Sequence, residues 1–422
     1  MAASDRSDPV LGGLDGIVSN LEGFYKDIHA HPELPMQEER TSAKAAEWLE
    51  AAGFEVTRGV GKTGVVGLLK NGEGPTVMLR ADMDALPVRE NTGLPYASEA
   101  TATDREGNEV PVAHACGHDM HTACLTGATT LLARATDAWS GTLMAVFQPA
   151  EETAEGARAM IDGGLFDRFP KPDVVLGQHV LPGRAGTVSY RVGTTQAASD
   201  SLQVRMFGRG GHGSMPEATV DPIVMAASTV LRLQTVVSRE IAATDAAVLT
   251  VGALQVGTKE NVIPDEATIK LNVRTFDEGV RKGVLDAIER IANAESDASG
   301  APKRPEITPI DRYPLTANDP DATGRVAEAF GSYFGHDRVE ERPAPVPASE
   351  DFGSFGSGWH APSVFWYVGG TDPDAYDRAK QAGRMAEDIP TNHSPNFAPV
   401  IHPTLETGVQ ALVVAARAWL SS

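Results

Sequence analysis

The sequence predicts an α/β protein of two domains, in which a mixed sheet lies between helices and a ferredoxin-like α+β domain is inserted. Three observations lead to this prediction. The chain has 422 residues, more than a single hydrophobic core usually organises. Before Arg191, short apolar segments alternate with helical segments, which is typical of a sheet covered by helices on both faces. After Arg191 the predicted order becomes βαββαβ, which is typical of a ferredoxin-like domain.

The larger domain begins with two helices. Apolar residues recur at helical spacing from Ile17 to Ile28 and predict a helix that ends near His31. A second helix is predicted over residues 38–52, because Gly53 follows as a stop signal. The remaining predicted elements of this domain are strands at residues 64–69, 76–79, 142–147 and 174–177, and helices at residues 122–135 and 155–162.

The inserted domain has a different pattern, in which strand residues alternate between apolar and polar. Its predicted strands are residues 201–207, 247–256, 267–275 and 306–310, and its predicted helices are residues 221–239 and 278–298. We therefore expect three segments: residues 1–195 and 312–422 form the larger domain, and residues 196–311 form the insertion. Residues 342–347 and 369–390 are predicted to be surface connections.

Composition excludes several classes of protein. The chain has 36 Lys and Arg against 57 Asp and Glu, a net charge of -21, whereas a nucleic-acid-binding protein needs a basic face. Two cysteines exclude a disulfide framework. The first residues lack the pattern of a signal peptide, and no run of 18 apolar residues occurs. We therefore expect a cytoplasmic protein that binds neither nucleic acid nor a membrane.

Potential metal ligands follow three of the predicted strands. They are Asp82 and Asp84 after the first, Glu151 and Glu152 after the second, and His179 after the third. Open α/β sheets bind their ligands at the carboxyl ends of strands. Paired glutamates are commonly solvated helix starts, but here one can bind an ion while the other accepts a proton from water.

A further group of ligands precedes an apolar helix. Cys116 and His118 would lie at its amino terminus, where the helix dipole favours a thiolate. Thiolate, imidazole and carboxylate together suit a transition metal, whereas calcium or magnesium would favour oxygen ligands alone. The alternative interpretation is a polar helix start with an exposed His121.

The motifs resemble those of a known family. They are LRADMDALPV, HACGHDMH, FQPAEET, GQHV, GRGGHGSMP, NVIPDEATIKLNVRTFD, ASEDF and NHSPNF. In this order they are similar to the metallopeptidase family of aminoacylases, carboxypeptidases and dipeptidases. Within it they resemble most the branch of hippurate hydrolases, N-acyl-L-amino-acid amidohydrolases and auxin-conjugate (IAA-amino acid) amidohydrolases. The resemblance implies an aminopeptidase-like catalytic domain with two metal ions and an inserted lid that dimerises.

The resemblance also implies roles for individual residues. The implied metal ligands are Cys116, which bridges the two ions, His118, Glu152, His179 and His393. Glu151 resembles the general base that later protonates the leaving amine, and Asp84 resembles a carboxylate that orients a ligand. Asp82 stands where other branches have a histidine ligand, so the motif leaves its role open.

Three residues of the insertion resemble functional residues of the lid. His212, flanked by glycines, resembles the imidazole that reaches the partner subunit's active site and stabilises the oxyanion. Asn261 and Arg274 resemble residues that bind the substrate carboxylate, although Arg274 on a strand is equally consistent with a structural role.

The expected function is metal-dependent hydrolysis of the amide bond of N-acyl-L-amino acids by a homodimer or tetramer. The expected cofactors are two divalent ions per subunit: zinc, manganese, cobalt or nickel. A dipeptidase or aminopeptidase of the same family is the nearest alternative. A non-catalytic binding protein would not require Glu151, and a cysteine-nucleophile enzyme would leave Glu152, His179 and His393 unexplained.

Overall fold

The computed structural model describes residues 8–420. The chain divides into two compact units. The first unit contains the residues up to Thr195, residues 317–344 and the residues from Asp351 onward. The second unit contains residues 196–316 and 345–350. The bounds predicted from the sequence for the insertion are residues 196–311.

The strands have the following bounds. In chain order they are β1 (Glu55–Val60), β2 (Gly64–Asn71), β3 (Thr76–Asp82), β4 (Thr101–Thr103), β5 (Glu109–Pro111), β6 (Gly141–Gln148), β7 (Val174–Arg184), β8 (Val188–Tyr190), β9 (Gly193–Gln196), β10 (Ala198–Phe207), β11 (Gly211–His212), β12 (Ala247–Val256), β13 (Val262–Ile263), β14 (Glu266–Thr275), β15 (Glu306–Tyr313), β16 (Thr316–Asn318), β17 (Val339–Glu341) and β18 (Ser363–Thr371).

The helices lie between these strands. In chain order they are α1 (Val18–His29), α2 (Glu39–Ala51), α3 (His118–Arg134), α4 (Gly156–Asp162), α5 (Leu165–Arg168), α6 (Pro222–Thr235), α7 (Glu278–Ala298), α8 (Pro320–Phe334), α9 (Gly353–Trp359), α10 (Pro373–Ala382), α11 (Met385–Asp388) and α12 (Ile401–Leu420). Within the described residues we find no helix with the length and apolar character needed to cross a bilayer.

The first unit is built around an eight-stranded mixed sheet. Its strand order is β1-β2-β6-β3-β7-β18-β8-β17. The central strands β6, β3, β7 and β18 run parallel to one another, and most of their residues are buried. These strands are apolar runs without strict alternation, because both faces of the sheet are covered. The predicted α/β fold with a mixed sheet is therefore confirmed.

The register of the sheet brings the ends of β3 and β6 beside the first half of β7, and His179, predicted to follow a strand that ends at Gly177, lies within β7 instead. Asp82 at the end of β3 pairs with Gln148 at the end of β6, and Arg80 pairs with Gly177 of β7. Helix α3 is buried from His118 to Leu132 and packs against α1 and α12. Residues at the ends of β3 and β6, the buried first half of β7 and the start of α3 therefore belong to one buried unit.

The second unit contains a separate four-stranded antiparallel sheet. Its strand order is β12-β14-β10-β15, and the chain order is β10, α6, β12, β14, α7, β15. Alternate residues of β10 and β14 are buried under α6 and α7, which explains the apolar and polar alternation of the sequence. A buried bidentate ion pair joins Arg281 of α7 to Asp200 of β10.

The prediction of a surface connection over residues 369–390 is wrong. This segment contains the end of β18 and the helices α10 and α11. Helix α10 buries only Ala379, so the segment lacks the apolar periodicity that signals a helix. The overlooked signal is the start of α10, where Pro373 occupies the first turn and the Asp372 side chain accepts a hydrogen bond from Ala375 N–H.

Candidate metal centre

The five residues predicted as ligands come together in the first unit. Their donor atoms form two groups that share the thiol of Cys116: one with His118 and His179, the other with Glu152 and His393. Within each group the donor atoms lie within 4.8 Å of one another. A third group combines His118, Glu151 and Glu152. Cys116 and His393, the two residues farthest apart in the sequence, are separated by 277 positions, so the fold assembles the cluster.

Gly117 allows Cys116 and His118 to lie close together at the start of α3. Its φ of 86° is in the left-handed region, which glycine adopts without steric cost. A Cβ atom at this position would lie 2.4 Å from Cγ1 of Val180. Glycine is therefore required both by the backbone conformation and by the close approach of β7.

Asp84 orients two members of the cluster. His118 Nδ1 lies 2.9 Å from the Asp84 carbonyl oxygen and 3.2 Å from its Oδ1, so the ring donates from Nδ1. Oδ2 of the same carboxylate accepts a hydrogen bond from Glu152 N–H at 3.0 Å. Nε2 of His118 therefore faces the cluster as an acceptor, and among the residues that the structure describes it has no hydrogen-bond partner.

Glu151 and Glu152 lie on a strained turn after β6. The turn is a short 3₁₀ helix, Glu151–Thr153, flanked by Ala150 with φ 47° and Ala154 with φ 56°. Left-handed conformations are costly for residues other than glycine and cluster at functional sites. The turn is therefore held in place by its surroundings.

The Glu152 carboxylate faces two imidazoles. Its Oε1 lies 3.4 Å from His393 Nε2 and 3.8 Å from His118 Nε2, and it has no hydrogen bond of acceptable geometry. Burial raises the pKa of Glu152, but the imidazoles of His393 and His118 outweigh burial and hold it below its ordinary value. The carboxylate is ionised and available as a ligand.

His179 is presented as a neutral imidazole. Its Nδ1 donates to the Val180 carbonyl oxygen at 2.8 Å, and its Nε2 lies 3.5 Å from the Cys116 sulfur. Burial lowers the pKa of His179 far below its ordinary value, and the neighbouring His121 lowers it further. A neutral ring with its proton on the outer nitrogen is the form in which histidine binds a metal.

His393 reaches the cluster from the C-terminal part of the chain. Its φ is 70°, and its N–H donates to the Ala115 carbonyl oxygen at 2.7 Å. The amide of Asn392 donates to the carbonyl oxygens of Cys116 and Val180. Asn392, to which the motif assigned no role, thus attaches the loop of His393 to the segments that carry two other ligands.

The donor set fits a pair of transition-metal ions. Nε2 of His118 and Oε1 of Glu152 are buried without hydrogen bonds, which is costly unless a ligand satisfies them. The set combines a thiolate, imidazoles and a carboxylate, and such ligands suit zinc and its neighbours in the first transition row. Burial raises the pKa of the Cys116 thiol, and a bound cation would offset this effect.

Asp82 is held by a buried network beside the cluster. Its two oxygens lie 2.6 Å from Arg80 Nη1 and 2.5 Å from His121 Nδ1. His121 Nε2 accepts a hydrogen bond from Val180 N–H at 2.8 Å, so this ring carries its proton on Nδ1. Both nitrogens of His121 are therefore occupied, whereas Asp82 Oδ2, which accepts from Arg80, also lies 3.9 Å from His118 Nε2.

The partners of Asp82 form a buried polar network that was not predicted from the sequence. Arg80 is 1% exposed, and its guanidinium also contacts Gln148 at 2.8 Å and Asp351 at 3.3 Å. Asp351 in turn accepts hydrogen bonds from the Gln148 amide and from Ala157 N–H. A charged residue in the middle of an apolar strand was the available signal, because an unpaired buried arginine would be prohibitively costly.

The three predicted lid residues lie in the second unit. His212 of β11 is exposed and pairs with β13, and its Nδ1 accepts from Ser214 N–H at 3.1 Å. Gly213 N–H donates to the Asn261 carbonyl oxygen, which brings Asn261 beside His212. Arg274 of β14 lies apart from this ribbon and donates to Pro347 O and Ser349 Oγ.

Comparisons with known proteins agree on one family. The model of peptidase family M20/M25/M40 matches residues 78–388. The hippurate hydrolase of Campylobacter jejuni is 40% identical over 344 residues, which cover 80% of this chain and 86% of that protein. The N-acyl-L-amino acid amidohydrolase of Geobacillus stearothermophilus is 37% identical over 291 residues, which cover 68% of this chain and 75% of that protein. A crystal structure of a peptidase from Bacillus subtilis, described as a dinuclear metal-binding member of the M20 family, superposes on this chain with a TM-score of 0.75. The two sequences are 29% identical, and the match covers 95% of this chain and 98% of that chain.

Proposed function

Because the chain belongs to peptidase family M20/M25/M40, we propose that it is a metal-dependent amidohydrolase that cleaves N-acyl-L-amino acids into a carboxylic acid and an amino acid. The observation that supports this proposal best is the cluster around Cys116. In it, His118 Nε2 and Glu152 Oε1 are buried atoms able to bind a metal, and neither has a hydrogen-bond partner within the described residues. Relatives that act on N-acylated amino acids, among them a hippurate hydrolase and an N-acyl-L-amino acid amidohydrolase, support the same substrate class.

The residues that would hold two divalent ions are Cys116, His118, Glu152, His179 and His393. When bound, such ions polarise the amide carbonyl and acidify a water molecule. Asp84 keeps the proton of His118 on Nδ1 and thereby directs Nε2 at the cluster.

Glu151 is the proposed general base. It lies beside the ligand Glu152 on the same turn and is 5% exposed, so its carboxylate is close to the cluster and largely shielded from bulk water. We propose that it accepts a proton from the attacking water and returns this proton to the nitrogen of the departing amino acid.

His212 is suited to donate a hydrogen bond to the developing oxyanion. Because its Nδ1 accepts from Ser214 N–H, the neutral ring carries its proton on Nε2. Asn261 and Arg274 are the proposed ligands of the substrate carboxylate. Arg274 Nη1 is already bonded to Pro347 and Ser349, so the remaining N–H groups of its guanidinium are those proposed to bind substrate.

The second unit is the proposed ferredoxin-like lid and dimerisation domain. Its edge strand β12 is ten residues long and has no charged residue or proline to prevent pairing with another chain. Val248 and Leu254 of β12 are exposed, as are Ile223, Val224 and Leu231 of α6. A second copy that pairs along β12 would cover these side chains, which favours a homodimer as the minimal assembly.

Two substitutions separate the proposed base from the proposed ligand. Glu151→Gln should retain bound metal but lose several orders of magnitude in turnover, because it removes only the proton acceptor. Glu152→Gln should lose metal as well as turnover. Metal analysis together with hydrolysis of an N-acyl amino acid distinguishes the two variants. The reverse pattern would contradict the assignment of the two carboxylates.

Subunit exchange tests the role of His212 in the partner's active site. A mixed dimer of His212→Ala and Glu151→Gln has one site with both groups intact, if His212 acts across the interface. Equal amounts of the two inactive variants should then recover about a quarter of wild-type activity, because half the dimers are mixed. A mixture that stays inactive after confirmed exchange would rule out this role.

The nearest alternative is a dipeptidase or aminopeptidase of the same family. Such an enzyme must recognise the free amine of its substrate. Comparing the hydrolysis of an N-acyl amino acid with that of the matching dipeptide distinguishes the two activities. A clear preference for the dipeptide would overturn the proposed function.

A further inference from the structure

Glu38 is a buried carboxylate whose side chain does not bond to its own helix. It immediately precedes α2 and is 0% exposed, yet it makes no side-chain capping bond there. The start of α2 is capped by Glu33 instead, whose two oxygens accept from Arg40 N–H and Thr41 N–H, each at 2.8 Å. The Glu38 side chain is therefore not explained by the stability of α2.

The hydrogen bonds of Glu38 extend to the turn after β6. Oε1 accepts from Ala150 N–H at 2.9 Å and from Met36 N–H at 2.8 Å, and Oε2 accepts from Thr63 Oγ1 at 2.6 Å. The bond to Ala150 joins residues 112 positions apart in the sequence. Glu38 therefore connects three separate segments, one of which directly precedes Glu151.

Ala150 needs such an acceptor. It is buried and has a φ of 47°, a conformation that an alanine rarely adopts. Its carbonyl oxygen accepts from Gly156 N–H at 3.0 Å, so both backbone polar groups of this residue are bonded in the left-handed conformation. Because a buried N–H without a partner is costly, the Glu38 carboxylate favours this conformation over the alternatives.

The turn is held from both sides. Glu38 accepts from Ala150 N–H, one residue before Glu151, and Asp84 accepts from Glu152 N–H, one residue after it. The Asp84 bond orients the proposed metal ligand. The Glu38 bond fixes the backbone that leads into Glu151.

We propose that Glu38 is a positioning residue of the hydrolase, which holds the turn at Ala150 so that the Glu151 carboxylate is placed for proton transfer. This inference rests on the proposed function of Glu151 as general base. A misplaced base lowers the rate of the chemical step, because proton transfer requires hydrogen-bond distance to the reacting water. Substrate binding by other residues should be affected much less.

The test compares Glu38→Ala, Glu38→Gln and the control Glu33→Ala with the full-length wild-type enzyme at saturating metal. Glu33 and Glu38 both precede α2 and each accepts two backbone N–H bonds, but only Glu38 accepts one from the turn at Ala150. The measurements are kcat and KM on an N-acyl amino acid, bound metal per chain, and melting temperature.

We expect Glu38→Ala to lower kcat by about 10- to 100-fold, the usual effect of removing a positioning group, with KM and bound metal near wild type. Glu38→Gln should recover most of this loss, since its amide oxygen can still accept from Ala150 N–H. Glu33→Ala should lower the melting temperature without lowering kcat. If Glu38→Ala does not fold, Glu38→Asp replaces it, because a shorter side chain cannot reach Ala150 in the same way.

Two results would overturn the positioning role. One is wild-type kcat in folded, metal-loaded Glu38→Ala, and the other is an equal loss of kcat in Glu33→Ala, which would indicate a general effect on stability. Absence of hydrolysis by the wild-type enzyme would instead contradict the proposed function itself. The two failures are therefore distinguishable.

Discussion

Replacing Gly117 with alanine should damage the metal cluster more than it damages the fold. Gly117 lies between Cys116 and His118, has a φ of 86°, and leaves no room for a Cβ atom beside Val180. Gly107 provides a matched control, because it has the same φ of 86° and, apart from its chain neighbours, no atom of residues 8–420 lies within 4 Å of its hypothetical Cβ. The two substitutions therefore impose the same backbone cost and differ in the steric clash.

The magnitudes follow from these two terms. A left-handed alanine costs about 1–2 kcal/mol of stability, which is the whole expected effect of Gly107→Ala. The clash in Gly117→Ala adds about 1–3 kcal/mol, the usual cost of overpacking a buried site. Because the contact of 2.4 Å must widen to the 3.4 Å of an ordinary contact, the backbone of Cys116 and His118 or that of Val180 must move by about 1 Å. Displacements of this size at a reacting centre cost about 100-fold in rate.

The assay compares both variants with wild type. Urea unfolding measures the loss of stability, and kcat/KM on an N-acyl amino acid, measured together with bound metal, reports the effect on the cluster. Gly107→Ala should retain wild-type hydrolysis and metal content despite its lower stability. If Gly117→Ala hydrolyses substrate and retains metal as well as Gly107→Ala does, the cluster does not depend on the geometry at the start of α3.

Two further predictions concern reactivity and pH. Alkylation at about pH 8.5 should modify Cys116 only after metal is removed, because a metal-bound thiolate is protected. The buried Cys124 should stay unmodified in both states. If mass spectrometry shows equal labelling of Cys116 with and without metal, Cys116 is not a ligand. Burial lowers the pKa of His29, but hydrogen bonds with Asp119 and Glu90 outweigh burial and raise it from 6.5 to about 10. Since the folded pKa is the higher one, this stabilisation is complete below pH 6.5 and is lost as the pH rises to about 10. Urea midpoints should therefore fall over this range less steeply in His29→Gln than in wild type, and identical pH profiles would refute the assignment.

Elements with strong local signals were predicted well from the sequence. Helix α7 and strand β12 have the predicted bounds, since Asp277 caps the helix and a clear pattern marks each element. Helix α10 was missed because it buries a single residue. Local periodicity cannot reveal a helix whose apolar face is so small.

The candidate site likewise contains residues that could be predicted from the sequence and residues that could not. That Asp84, Glu151 and Glu152 lie near one another could be predicted, because parallel strands bring their carboxyl ends together, whereas His179 lies within β7 and not after it. Glu38 and Arg80 could not be predicted, since their roles depend on contacts with Ala150 and Asp351, which lie far away in the sequence. Asp82, left open by the motif, is joined to Arg80 and His121, and this too depends on the fold.

Hydrolysis by this chain should depend on two metal ions held by the cluster around Cys116. The most direct measurement titrates verified metal-free enzyme with zinc, manganese, cobalt or nickel and records hydrolysis of an N-acyl amino acid against bound metal per chain. We expect no hydrolysis without metal and a rise that ends at two ions per chain, in line with the dinuclear peptidase of Bacillus subtilis. Undiminished hydrolysis by the metal-free enzyme would contradict this expectation.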